Sequence, residues 1–180
     1  MPKIIDHSAH REELLGKAFV LFADKGYSAL SMRQLAQGLG VSTGSLYHYF
    51  PSKDAIFEQM VTWLTERDIL QATADITPEA SPEERLELVF AWVRFNEAYL
   101  QKMLLLVFDF QRHRNEPEAH ALIAAAASRY RETFCELAGC GNVGWSALLG
   151  MLIQGLLEGA ENNPEEHLEA LGAMAQWSAA

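Results

Sequence analysis

Cysteine, proline and long apolar runs are all scarce in this chain. Cys135 and Cys140 are the only thiols. With no further ligands near them in sequence, they read as small apolar fillers at one helix end, not as a metal or redox pair. Six prolines and twelve glycines in 180 residues exclude a disordered or low-complexity chain. The longest unbroken apolar runs, Met103–Phe108 and Ala121–Ala127, are far shorter than the roughly 20 residues of a membrane span. No charged-then-apolar pattern marks a secretory leader near Met1. The expected setting is therefore cytoplasmic, with no membrane partner. Gly-x-Ser-x-Gly, a phosphate loop, His-Glu-x-x-His and paired cysteine ligands are all missing. No catalytic residue, metal or cofactor is expected.

Positive charge is also in short supply: 14 Lys and Arg stand against 24 Asp and Glu, for a net charge of −10. The deficit is uneven. Residues 1–53 hold six basic and four acidic side chains, a net +2, whereas 54–180 hold eight and twenty, a net −12. A mildly basic head on an acidic body suits a protein that meets a polyanion with one end only. Forty-nine per cent of the residues are hydrophobic, so a chain of this length can bury a sizeable core in one large or two small domains.

One stretch organises the rest: Val41-Ser42-Thr43-Gly44-Ser45-Leu46-Tyr47-His48-Tyr49-Phe50-Pro51-Ser52-Lys53. Ser42 is a good N-cap, Gly40 closes the element before it, and Phe50 is biased out of helix by the following Pro51. At 3.6 residues per turn, Leu46, Tyr49 and Phe50 share one side and Thr43, Gly44, Tyr47 and His48 the other. The outward side is small at its start and carries hydrogen-bonding rings at its end. A recognition helix needs that order, because its first turn approaches base edges and its last turn holds phosphates. Ser52 then caps another helix with Lys53 in its first turn. A cation there opposes the helix dipole unless a phosphate shares the terminus. Upstream, Ser31 and Gln34 form a capping box, Leu30 and Leu35 a hydrophobic staple, and Gly38-Leu39-Gly40 a tight turn.

With these residues in view, Leu21 to Phe57, LFADKGYSALSMRQLAQGLGVSTGSLYHYFPSKDAIF, resembles the DNA-binding domain of the TetR family of transcriptional regulators. The resemblance runs from about Leu15 to Met60 and covers roughly a third of the chain. It implies an all-α fold of about nine helices: a three-helix helix-turn-helix domain over 1–53, joined by a fourth helix to a helical effector-binding and dimerisation domain over 54–180. It also assigns roles. Tyr47, His48, Lys53 and the cap hydroxyls of Ser31 and Ser42 hold phosphates. Thr43, Gly44 and Ser45 face bases, and Arg33 reaches guanine or phosphate.

The rest reads as amphipathic helices. Leu15, Ala18, Phe19 and Phe22 stripe the first, Ala9 to Lys25. Ile56, Phe57, Met60, Val61 and Leu64 stripe the fourth, Lys53 to about Ala72. After the Asp75–Ala80 linker, Ser81-Pro82-Glu83-Glu84 restarts a helix packing Leu86, Val89, Phe90 and Val93. Glu97 continues that apolar face in phase; it pairs with an arginine, marks a bend, or anchors a ligand. Tyr99 to Phe110 suits a central helix. His113 and His120 are poor metal candidates, since Pro117 breaks the register between them. Asn115 and Asn163 are expected to cap the next and the last helices. Residues 143–160 are apolar almost all round and must be covered on two sides. With the final helix, whose apolar residues include Trp177, they are expected to meet a second copy through Trp145, Leu148, Leu149, Leu152, Leu156, Leu168 and Leu171; a monomer burying the helix alone is the alternative.

The expectation is a ligand-responsive repressor that binds a palindromic operator in double-stranded DNA as a homodimer and is released by a small, mostly apolar effector. The effector cavity and its action on the spacing of the two heads are implied by the resemblance. Its lining is expected among Trp63, Trp92, Phe95, Glu97, Tyr99, Phe108 and Gln154. Rival readings are a helical small-molecule-binding or interaction module without DNA binding, and an all-helical enzyme.

Overall fold

The computed structural model describes residues 7–114, 116–159 and 164–178, and among them every regular element is an α-helix. In order these are α1 His7–Lys25, α2 Met32–Leu39, α3 Thr43–Tyr49, α4 Lys53–Thr73, α5 Pro82–Phe95, α6 Glu97–His113, α7 Pro117–Ala138, α8 Gly141–Glu158 and α9 Pro164–Ser178. Asn115, Asn163 and the side chain of Trp177 lie outside the described residues. Packing divides the chain into two compact units. One holds residues 1–66 and 104–126, the other 67–103 and 127–180. Helices α4, α6 and α7 each contribute to both.

Local chemistry sets the helix ends of the first unit. Gly26 closes α1 at φ 84°, and a Cβ there would meet the Asp109 carboxylate at 3.2 Å. Ser31 caps α2, with its hydroxyl and the Gln34 side chain each bonding the other's backbone. Gly40 follows in the left-handed region at φ 73°, where its N–H bonds back to the last α2 carbonyls, a conformation that costs glycine nothing. Ser42 then caps α3 by accepting from the Ser45 amide at 3.0 Å, and Phe50 ends it in extended backbone.

The core beneath these turns is dense and aromatic. Phe22, Phe50, Phe57, Leu35, Leu46 and Ile56 are fully enclosed. Phe57 stacks on Phe110 of α6 with ring centroids 4.0 Å apart, and Tyr27 meets both rings edge-on. Leu30 and Leu35, the anticipated staple, are buried.

In the second unit α5 and α6 are two helices. Asn96 breaks the run: its amide side chain and its backbone N–H both bond the Trp92 carbonyl. Glu97 opens α6 and binds Arg94, so both the bend and the arginine pairing hold. Helix α8 carries no charge before Glu158. Its inner stripe is Gly144, Leu148, Met151, Leu152 and Gly155. Its outer stripe leaves Val143 67%, Ile153 39% and Leu157 78% exposed. Leu148, Leu152 and Leu171 are thus corrected from the expected interface: they fill their own chain's core, and a buried side chain presents no surface to a copy.

Candidate nucleic-acid interface and body cavity

Helix α3 is anchored by Leu46 and capped by Phe50, neither with measurable exposure. That anchorage turns Thr43, Gly44, Tyr47 and His48 outward, all exposed, with Ser45 half-buried. Tyr47 is 52% exposed. Space at Gly44 is open, the nearest foreign atom to a Cβ there being Ser42 Oγ at 3.9 Å. Ser31, Arg33 and Ser42 are exposed as well. A smooth first turn with hydroxyl and imidazole groups behind it is a surface that fits into a groove.

Two ring contacts extend this surface. The Tyr49 hydroxyl lies 3.3 Å from His7 Nδ1, and its ring meets those of His10 and His48 edge-on at 5.5 and 5.6 Å. Tyr49 is half-buried and ties the start of α1 to the end of α3.

Lys53 is placed differently from a free phosphate hook. Its ammonium donates to the Tyr27 carbonyl at 3.0 Å and sits 4.1 Å from the centroid of the Tyr27 ring. Burial lowers its pKa from the ordinary 10.5, against the opposing pull of Asp54. An ammonium carries three N–H donors, so one bond to a carbonyl leaves two. The Tyr27 hydroxyl donates to Asp54 and accepts from Arg114 at 3.1 Å. Arg114 pairs with Asp54 at 2.7 Å and with Glu116 at 3.0 Å. Asp109 accepts the Tyr27 amide at 2.8 Å. Burial and the Asp54 carboxylate push the Tyr27 phenol well above its ordinary range, which keeps it a donor. Arg114 is an ion-pair hub.

The second unit holds a small cavity of about 60 Å³ bordered by Asp68, Trp92, Tyr130, Thr133, Phe134 and Trp145, among others. Asp68 has no exposed surface. Its Oδ1 accepts from Arg67 at 2.7 and 3.1 Å, and its Oδ2 from the hydroxyls of Tyr99 at 2.7 Å and Tyr130 at 2.9 Å. Burial, then the Asp68 charge, raise the Tyr99 phenol far above its usual value.

Of the side chains expected to line an effector site, Trp92 borders this cavity and Tyr99 reaches it through Asp68. The others do not join them. Phe95 is 91% exposed, and a solvent-facing ring encloses nothing. Gln154 is exposed and bonds Glu158. Glu97 is held by Arg94 and Gln101. Trp63 and Phe108 belong to the first unit, where a Cβ on Gly16 would touch the Trp63 ring and Phe108 is 54% exposed.

Comparison with known proteins agrees with this geometry. The family model for bacterial regulatory proteins of the tetR family matches residues 14–60, the span that builds α1 to α3 and the start of α4. Residues 14–60 carry the DNA-binding region of this family. Among curated proteins it is similar to the HTH-type transcriptional repressor KstR2 of Mycobacterium tuberculosis, 37% identical over 89 residues. That match covers 46% of this chain and 42% of KstR2, so the chain spans about half or less of the length of the curated relatives it matches. Among solved structures it resembles the TetR family transcriptional regulator PfmR of Thermus thermophilus, with TM-score 0.63, 25% identity and coverage of 93% of this chain and 94% of that one. A putative regulator from Saccharomonospora viridis in complex with choline shares the fold at TM-score 0.71, 18% identity and 94% and 97% coverage. Among the described residues no single helix is long and apolar enough to cross a membrane.

Asp68, Tyr130 and Trp145 border the cavity but are not among the residues expected to line it. Asp68 falls four residues after Leu64 and eight after Met60, on the buried stripe of α4, and an acid in that phase was the available signal. Trp145 is expected in sequence at the interface between copies; packing brings both it and Tyr130 to the cavity beside Asp68.

Proposed function

We propose that this protein is a ligand-responsive DNA-binding transcriptional repressor of the cytoplasm, in which residues 1–53 meet the operator and 54–180 carry the effector and dimer functions. The supporting observation is the outward side of α3: Thr43, Gly44, Tyr47 and His48 stand exposed over a fully buried Leu46 and Phe50. The protein acts as a homodimer on a palindromic operator, because one short helix reads too few bases to select a site. Two heads read half-sites about 34–36 Å apart, or a multiple of that spacing. The dimer surface is the outer stripe of α8, Val143, Leu149, Ile153, Leu156 and Leu157, continued by α9. A small, mostly apolar effector in the helical body lowers DNA affinity by favouring the conformation that holds operator poorly.

Selection of genomic fragments with the purified protein tests the reading. A palindrome is expected; uniform recovery would leave a helical binding module without DNA recognition. On the selected fragment, Tyr47→Phe weakens binding to all sequences alike, by several-fold, and Lys53→Ala lowers the salt slope by about one. A change in preference at a single base pair would overturn this division between phosphate and base contacts.

A further inference from the structure

We infer that the start of α1 is a second contact with backbone phosphate and that it couples operator binding to proton uptake. This rests on the DNA-binding reading above and adds to it a contact element and a regulator, pH. His7 and His10 of α1 and His48 of α3 gather around one ring, that of Tyr49, at centroid distances of 6.2, 5.5 and 5.6 Å. His7 Nδ1 also lies 3.3 Å from the Tyr49 hydroxyl. His7 and His48 are exposed and His10 is half-buried. The last turn of a recognition helix is where phosphates are held, and these contacts bring two α1 imidazoles to that turn.

Cover for Tyr49 does not require this set. An apolar side chain would pack on the phenol as well, whereas imidazoles leave ring nitrogens that can donate to an oxygen anion. Imidazole is also the side chain whose charge changes between about pH 5 and 8. A phenol face favours a cation beside it, yet three imidazolium rings around one phenol repel one another.

The groups that face the three rings offset little of that repulsion. On α1, Glu13 lies 3.3 Å from His10 Nδ1 but is shared with Lys17 at 2.6 Å. Arg11 adds a positive charge; it sits 5.3 Å over the Phe50 ring and donates to Gln59 of α4. Helix α3, TGSLYHY, holds no acid. A DNA phosphate supplies the negative charge that these neighbours do not. The rings then hold protons more tightly in the complex than in the free protein, so binding takes protons up. By linkage, affinity rises as pH falls.

Fluorescence anisotropy of the full chain on the selected fragment tests this at pH 6 and pH 8 with the salt held fixed. Binding is expected to be about tenfold tighter at pH 6, with the slope of log affinity against log salt steeper by about one. His7→Gln/His10→Gln should weaken binding about fivefold more at pH 6 than at pH 8. His120→Gln, an exposed histidine of α7, should keep the whole pH 6 gain. Calorimetry of the unaltered chain at pH 6.5, in Pipes and in imidazole buffer, reads the protons without any variant; uptake of about one proton per head is expected. Zero uptake, or equal binding at the two pH values, overturns the proposal. So does a gain that survives in the double variant, a gain lost in His120→Gln, or a double variant weakened alike at both pH values, which marks a merely structural role. Operator binding that ignores pH removes the proton link alone; no binding of the palindrome at either pH removes the repressor reading and this one with it.

Discussion

Each compact unit contains a tyrosine–aspartate–arginine cluster, and the two differ in depth. In the first, Tyr27 donates to Asp54, which also pairs with Arg114. The Asp54 side chain is 41% exposed and that of Arg114 28%, so water can replace what either loses. In the second, Asp68 has no exposure and takes bonds from two tyrosines and Arg67. The same groups thus have different energetic weight. A screened pair at a surface contributes little net stability. A buried carboxylate is costly to leave half-partnered, because nothing replaces the missing group. The shallow cluster ties sequence-distant elements of the first unit together; the deep one borders a cavity.

Substitutions sharpen the contrast. Asp68→Ala should have the largest effect, a loss of about 3–5 kcal/mol in urea unfolding, since two buried hydroxyls and a guanidinium lose their acceptor. A loss below about 1 kcal/mol would mean that water reaches the site and that depth is not the distinction. Tyr130→Phe removes one donor to a charged acceptor and should cost about 1.5 kcal/mol. Tyr27→Phe should cost less, because Arg114 still pairs with Asp54 after the hydroxyl is gone. Equal losses from the two tyrosine variants would erase the comparison.

Acid should reveal the shallow cluster. Burial pushes the Asp54 carboxyl up, but hydrogen bonds from Arg114 and Tyr27 outweigh it, so the net value lies below the ordinary 3.8. A depressed acid binds its proton more weakly when folded than when unfolded. Its contribution is present above about pH 4 and disappears as pH falls through the folded value. After allowance for solvent, it amounts to at most about 1 kcal/mol. Asp54→Asn should therefore lower stability slightly at pH 7 and by less at pH 2.5, as urea titrations at the two pH values would show. Ser31→Ala is expected to cost a similar amount or less, up to about 1 kcal/mol for the lost cap, with little change in either cluster; thermal unfolding with the tyrosine bands monitored would check it.

The head was more legible in sequence than the body. Its helix ends depend on residues one to four apart: Ser31 with Gln34, Ser42 with Ser45, Gly40 in its positive-φ turn. Such bonds are local, so the order of residues reports them. The side of α3 that faces out followed from the phase of Leu46 for the same reason. In the body, phase told which residues face inward but not which inward residues meet. Asp68 and Tyr130 are 62 positions apart and Tyr99 lies between them in the chain. Phe95 looked like lining because it is aromatic and near Glu97, yet the break at Asn96 leaves it 91% exposed. Leu148 and Leu152 looked like interface because α8 is apolar all round; which of its sides the chain covers is set by packing.

By itself the sequence determined the helical class, the helix-turn-helix and the outward side of α3, through caps, turns and periodicity that act over a single turn of chain. Tertiary structure alone decided that Lys53 rests on Tyr27, that Arg114 closes on Asp54, and that a buried acid sits among aromatic rings. Those pairings join groups from separate helices and loops, and charge and hydrogen bonding across such distances depend on where the packed backbone puts them.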